Sequence, residues 1–340
     1  MNHPHDTRFL NIMKLLMAFF VMVVHFSPFK TIHPILHHVS IHGFPRIVVP
    51  FFFLCSGYLL SSHGVISPDR LRKTLKKLVS LYLFWTLLHL PLIILELTHF
   101  PNAEPLWISL PRSFFFEGSF LHLWYLLASI IGLVIVTSLL KVFSITQVLF
   151  LSLILYIIGV LGDSYYGFSI GLRGLSDLMT LLFQFIRTTR NGLFFAPIYL
   201  SLGMFIKKNP KVFSMWTLSL IFIIILGLNT AEVLWLKGMV WAKDYNLTFT
   251  SLPLSLITFL ISLQIKVNFD TTRFKEIAAT LFYIHIWVYV LVQFVLTGGD
   301  TTYFKNYGMD GFLITVVLTT VITLFIHKFK HIPFIRNYFM

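Results

Sequence analysis

Charged residues are scarce in this chain: Asp, Glu, Lys and Arg make up 11% of 340 residues, where a soluble domain carries about a quarter. That shortage excludes an ordinary water-facing surface. Acidic residues are the scarcer kind, 13 against 26 basic, which leaves a formal net charge of +13. Cysteine is nearly missing, and the single Cys55 excludes an internal disulfide and any cysteine-based metal site. No fixed-period repeat or low-complexity tract is present. No small-residue cleavage site follows the first apolar run, so that run is expected to serve as an uncleaved signal anchor. No basic cluster is joined to a soluble fold that could read a groove, so the positive charge does not argue for nucleic acid.

Apolar residues fill the space that charge leaves, at 57% of the chain. Stretches long enough to cross ~30 Å of hydrocarbon recur at 9–27, 43–62, 77–98, 121–140, 145–161, 191–206, 212–228, 247–265, 277–297 and 310–327. In lipid every backbone polar group must be satisfied within its own segment or a closed barrel, so runs of this length predict helices. The expectation is an all-α, polytopic membrane helix bundle of about ten transmembrane helices, one domain over residues 1–340 with the bilayer as its partner. Lys and Arg concentrate in alternate loops, above all at Arg70, Arg72, Lys73, Lys76 and Lys77, which predicts that both termini are cytoplasmic. The longest polar loop, 162–190, is too short for a soluble catalytic domain, so any chemistry is expected within the bundle or at its faces. That loop and 229–246 read as amphipathic segments lying on the outer face or dipping into it.

Against this background the ionisable residues inside the spans stand out. Lys14 and His25 share the first run, about three turns and 16 Å apart on one helix face. Such groups are expensive in lipid and are tolerated beside a bundle interior or a wet cavity, which makes them a functional-site candidate. A neutral imidazole can take a proton from a hydroxyl and return it, and a nearby cation can steady an anionic group. Snorkelling to the nearest interface is the bland alternative. The basic run Arg70–Arg72–Lys73 could hold the phosphates of a donor, or simply anchor the inner face. Ser56, Gly57 and Tyr58 break an otherwise apolar span, as helix packing alone would explain. Glu117, His122 and Trp124 stand at the outer start of the fourth span and could form a sugar-sized site. Tyr283 and His285 lie inside the ninth, where an aromatic belt cannot easily account for them. His33/His37 and His38/His42 have i,i+4 spacing but no supporting carboxylate or cysteine, so no metal is expected.

These segments, in this order, resemble the acyltransferase-3 family of integral-membrane acyltransferases over nearly the whole chain. The likeness rests on Lys14 to His25, PFFFLCSGYLL, the Arg/Lys run, HLWYL, RNGLFFAPIYLSLG and FYIHIWV. It implies transfer of an acyl group, most often acetyl, from cytoplasmic acyl-coenzyme A to a hydroxyl of an extracytoplasmic envelope glycan. It further implies a bacterial cytoplasmic (inner) membrane location and acetyl-CoA as donor substrate, with no permanently bound cofactor. His25 would be the catalytic histidine and Lys14 would stand where many members carry Arg, keeping the charge without the bidentate fork. Arg70 and Arg72 would meet the coenzyme A, with Lys73 beside them, and Ser56, Gly57 and Tyr58 match the family's Ser-Gly-aromatic element. Membrane modules similar to this one also occur fused to amino-acid racemases. A carrier for a small polar solute such as an amino acid is therefore the alternative, and a scaffold in a polysaccharide export complex is a third reading.

Overall fold

The computed structural model describes residues 6–99, 105–298 and 308–340, and apart from one isolated bridge, Ser62–Val65, their regular structure is helical. In chain order the first helices are α1 (Arg8–Phe26), α2 (Pro34–His42), α3 (Val48–Leu60), α4 (Pro68–His99) and α5 (Leu106–Arg112). There follow α6 (Trp124–Leu139), α7 (Ile145–Gly162), α8 (Tyr166–Ile170), α9 (Arg173–Phe185) and α10 (Ala196–Lys208). The last are α11 (Met215–Met239), α12 (Ser251–Gln264), α13 (Thr272–Leu296), α14 (Gly308–Lys328) and α15 (Pro333–Phe339). Among the described residues seven stretches are long and apolar enough to cross a membrane: α1, Pro34–Leu60, Pro68–Leu95, α7, α11, α13 and α14. The shorter α6 and α12 are apolar as well. The chain is thus a polytopic helical membrane protein, and each apolar run in the sequence overlaps a helix.

Local chemistry sets the helix ends. Ser144 and Gln147 form a reciprocal capping box at the start of α7. Pro68 and Asp69 open α4, where a fixed φ and a negative charge both suit a helix N-terminus. Lys207 and Lys208 close α10 at its negative end. One boundary departs from the sequence reading. The segment from 229, expected as a separate amphipathic piece lying on the outer face or dipping into it, begins as the last part of α11, which continues unbroken to Met239.

Two compact units make up the chain. The first comprises Met1–Val48, Val212–Leu234 and Leu254–Met340. Within it α1 and α13 run parallel, because their first turns are stitched together. The Thr271 hydroxyl donates to the Arg8 carbonyl at 2.8 Å and accepts from Asn11 Nδ2 at 3.1 Å. Antiparallel to α13 runs α14, whose last turn places His327 Nε2 2.7 Å from Glu276 near the start of α13. Gly311, Thr315, Thr319, Thr323 and His327 form a buried stripe along α14. The hydroxyls of Thr315 and Thr319 donate back to their own helix at 2.7 and 2.6 Å, so small side chains line this stripe.

The second unit comprises Val49–Lys211 and Trp235–Pro253. Here α3 and α10 meet backbone to backbone. A carbon added at Gly57 would fall on the Leu200 carbonyl, and one added at Gly203 would fall on the Leu54 carbonyl. Two glycines facing each other across the contact explain why the Ser-Gly pair interrupts an aromatic run. The start of α4 and the end of α6 wall the same cavity, so these two helices run antiparallel.

Candidate functional site

In the first unit the packing of α1 on α13 brings His25 to His285, with ring centroids 5.4 Å apart. His25 is half-buried and His285 fully buried. The His285 Nδ1 lies 2.7 Å from the Phe282 carbonyl, which can only accept, so Nδ1 carries the proton and Nε2 is the basic nitrogen. Phe26 stacks on Tyr289 at 4.2 Å and fixes the end of α1 beside this pair. His285, Tyr289 and Gln293 follow at i, i+4 and i+8, so they share one face of α13, and all three are buried. Neither polar atom of the Gln293 side chain has a hydrogen-bond partner among the described residues. A buried amide left unpaired is costly, and such groups commonly mark where water or a ligand completes the bonding. Lys14 is half-buried on α1, toward the end where α13 begins. Tyr283 sits two residues before His285, about 200° around the helix, and so faces away from it.

The second unit holds two polar groupings at opposite ends of α6. At its N-terminal end Glu117 Oε1 accepts the Arg187 backbone N–H at 2.9 Å, with the Arg187 guanidinium 4.0 Å from the other oxygen. The Arg190 guanidinium lies 4.9 Å over the Trp124 ring and donates to Asn246 Oδ1 at 3.2 Å. Asn246 in turn belongs to Asp163, whose Oδ2 accepts the backbone N–H of Asn246 and Leu247 at 2.7 and 2.9 Å. Lys243 closes the circuit by donating to the Arg187 carbonyl at 2.9 Å. Burial first, and the neighbouring Asp244 charge second, push the Asp163 carboxyl up to about 6. Glu117 and Trp124 therefore join one network, whereas His122 is buried elsewhere, its ring 5.1 Å from His89.

At the other end of α6 the basic run of α4 divides between two faces. Arg70 lies close enough to Lys207 for their like charges to repel, and the Lys207 ammonium sits 4.7 Å over the buried Tyr58 ring. Arg72 is two residues on, about 200° around, and lines a cavity with Lys76 and Lys141 instead. Lys73 lies between these faces, three residues from both Arg70 and Lys76. Ser56 donates its hydroxyl to the Phe52 carbonyl at 2.9 Å, and Gly57 serves the α3–α10 contact. The structure thus joins His25 to His285, Glu117 to Trp124 and Tyr58 to Arg70, but separates Arg72 from Arg70 and Tyr283 from His285.

Sequence reasoning missed Tyr289, Gln293, His89, Asp163 and Asn246. The first two were signalled by i+4 spacing from His285. The last two carry no local signal, since 83 residues separate them. Among the described residues no three of His, Cys, Asp or Glu gather as metal ligands. His33 instead caps α2 through Nδ1, which accepts the Ile35 N–H at 3.3 Å.

A family model described as an acyltransferase domain matches residues 7–328. An amino-acid racemase of Enterococcus faecalis is 30% identical over 295 residues, covering 85% of this chain and 42% of that protein. A serine/alanine racemase of Enterococcus gallinarum is 29% identical over 324 residues, covering 92% of this chain and 44% of that protein. The chain therefore spans less than half the length of these curated relatives. No solved structure matches it.

Proposed function

The chain belongs to the acyltransferase-3 family, and from that premise we propose that it moves an acyl group, in the first instance acetyl, from cytoplasmic acyl-CoA to a hydroxyl of an extracytoplasmic envelope glycan. In this reading residues 1–340 act as one domain, ten helices cross a bacterial cytoplasmic membrane, and both termini lie inside. His25 is the general base. It takes the acceptor's hydroxyl proton as the oxygen bonds to the thioester carbon. The carbon–sulfur bond then breaks, and the departing thiolate recovers the proton from the imidazolium. His285 holds the His25 ring in place, and Lys14 steadies negative charge nearer the inner end of α1. Arg70, Lys73 and Lys207 meet the donor's phosphates, with Tyr58 beneath them. Arg72 contributes charge from the other face of α4. Glu117, Trp124 and the arginines around them receive the acceptor. Ser56 and Gly57 shape the helix contact that holds Tyr58.

The single observation that carries this reading is the His25–His285 pair, inside apolar spans, with His285 on the same α13 face as the Gln293 amide, which has no partner among the described residues. Mass spectrometry of envelope polymers tests it, comparing cells that express the wild type with cells that express His25→Ala at matched protein level. Loss of acylation in the variant is expected; unchanged acylation removes His25 from the chemistry. The second reading, a carrier for an amino acid, draws on the likeness to amino-acid racemases together with the ionisable groups inside the spans. Coenzyme A separates the two: an acyltransferase releases free thiol from acetyl-CoA in proteoliposomes, and a carrier moves solute without it.

A further inference from the structure

We propose that the groove between the start of α4 and the end of α6 is a binding site for an anionic phospholipid, on the face of α4 opposite Arg70. It encloses about 780 Å³, and its walls are Ile66, Leu71, Leu75, Val79 and Leu140 with three cations, Arg72, Lys76 and Lys141. Among the described residues no acidic side chain lines it, which suits an occupant of negative charge. The one neutral polar side chain among the described residues that line it, Thr137, already donates to the Leu133 carbonyl at 2.6 Å. A nucleobase or ribose would therefore find no hydrogen-bond pattern to read, and a phosphate attached to hydrocarbon would find both of its halves matched.

The helix register supports the same occupant. Arg72, Lys76 and Val79 share one face of α4, and Leu83, Leu87 and Leu90 continue it at 51%, 69% and 45% exposure. Exposed leucines on a membrane-crossing helix face acyl chains. The groove thus has cations where a headgroup sits and an apolar track leading away from them. That is the layout that polybasic segments use beside anionic leaflets, and positive-inside bias puts this end of α4 at the cytoplasmic leaflet. Arg70 points to the opposite face of α4 from Arg72, so donor and lipid need not compete.

Native mass spectrometry of the purified full chain tests the assignment, after incubation with equal amounts of phosphatidylglycerol and phosphatidylcholine. Phosphatidylglycerol is expected to be retained in preference, and Lys76→Gln with Lys141→Gln is expected to cut that preference roughly tenfold or more. Both lysines are exposed, so neither change threatens the fold. Arg70→Gln, on the far face, should leave lipid retention unchanged, and acetyl-CoA should not displace the lipid. Equal retention of the two lipids would overturn the proposal, as would a double variant that keeps its preference. An equal loss in Arg70→Gln would reduce the effect to diffuse charge. Displacement by acetyl-CoA would give the groove to the donor instead.

Discussion

Each unit of this protein brings two histidine rings from separate segments of the chain into contact, and these two pairs are built almost alike. His25 and His285 lie 5.4 Å apart in the first unit, and His89 and His122 lie 5.1 Å apart in the second. In both, one ring fixes its Nδ1 proton on a carbonyl of its own helix: His285 on Phe282 at 2.7 Å, His89 on Trp85 at 2.8 Å. The difference lies in access. His89 and His122 are 0% and 1% exposed, with His89 packed against Trp85 and Phe120, whereas His25 is only half-buried. Contact between imidazoles is therefore not itself a sign of chemistry. A base must also be reachable by the proton it removes.

The largest effect that could break this comparison is on turnover. His25→Ala is expected to lower acyl transfer by about 10²–10⁴-fold, the usual weight of a positioned general base. His89→Phe is expected to leave transfer within about twofold and stability within about 1 kcal/mol, since an aromatic of similar shape replaces a buried polar group. Release of free coenzyme A by the purified protein measures both variants. If His89→Phe falls as far as His25→Ala, the second pair is functional and the distinction by access is wrong.

A smaller effect sharpens the first pair. Gln293→Leu removes an amide that has no partner among the described residues, so it should raise stability by about 1 kcal/mol. If that amide serves the acceptor, the same change should raise the KM for acceptor and leave the KM for acetyl-CoA alone. A variant that is both less stable and kinetically normal would make Gln293 an ordinary packing residue.

Why these residues escaped the sequence can be stated physically. Hydropathy runs follow directly from the cost of unsatisfied backbone in lipid, so every apolar stretch became a helix. The end of α11 did not, because Thr230, Glu232 and Lys237 look like a loop, yet a helix leaving the bilayer can carry polar residues along its last turns. Within α13 His285 was legible as a polar interruption. Its companion was expected at Tyr283, whereas the helical repeat places Tyr289 and Gln293 beside it. Arg70 and Arg72 read as one patch in a linear sequence, but a step of two residues puts them on opposite faces. Asp163 and Asn246 meet through tertiary structure alone, and no window of sequence contains both.

The smallest expected effect separates the units by pH. Asp163 binds its proton more tightly when folded, at about 6 instead of 3.8, because burial and the Asp244 charge oppose ionisation. The folded state is therefore favoured most below 3.8, and that contribution is lost as pH rises through about 6. The melting temperature of the wild type should fall across this window, by a few degrees, and level off above it. Asp163→Asn cannot ionise, so its melting temperature should be flat over the same range. A thiol-reactive dye reads the transition directly, since Cys55 is the single cysteine and is buried in the same unit. If the slope persists in Asp163→Asn, the pH dependence belongs to another group, and the histidines of either pair become the next to substitute.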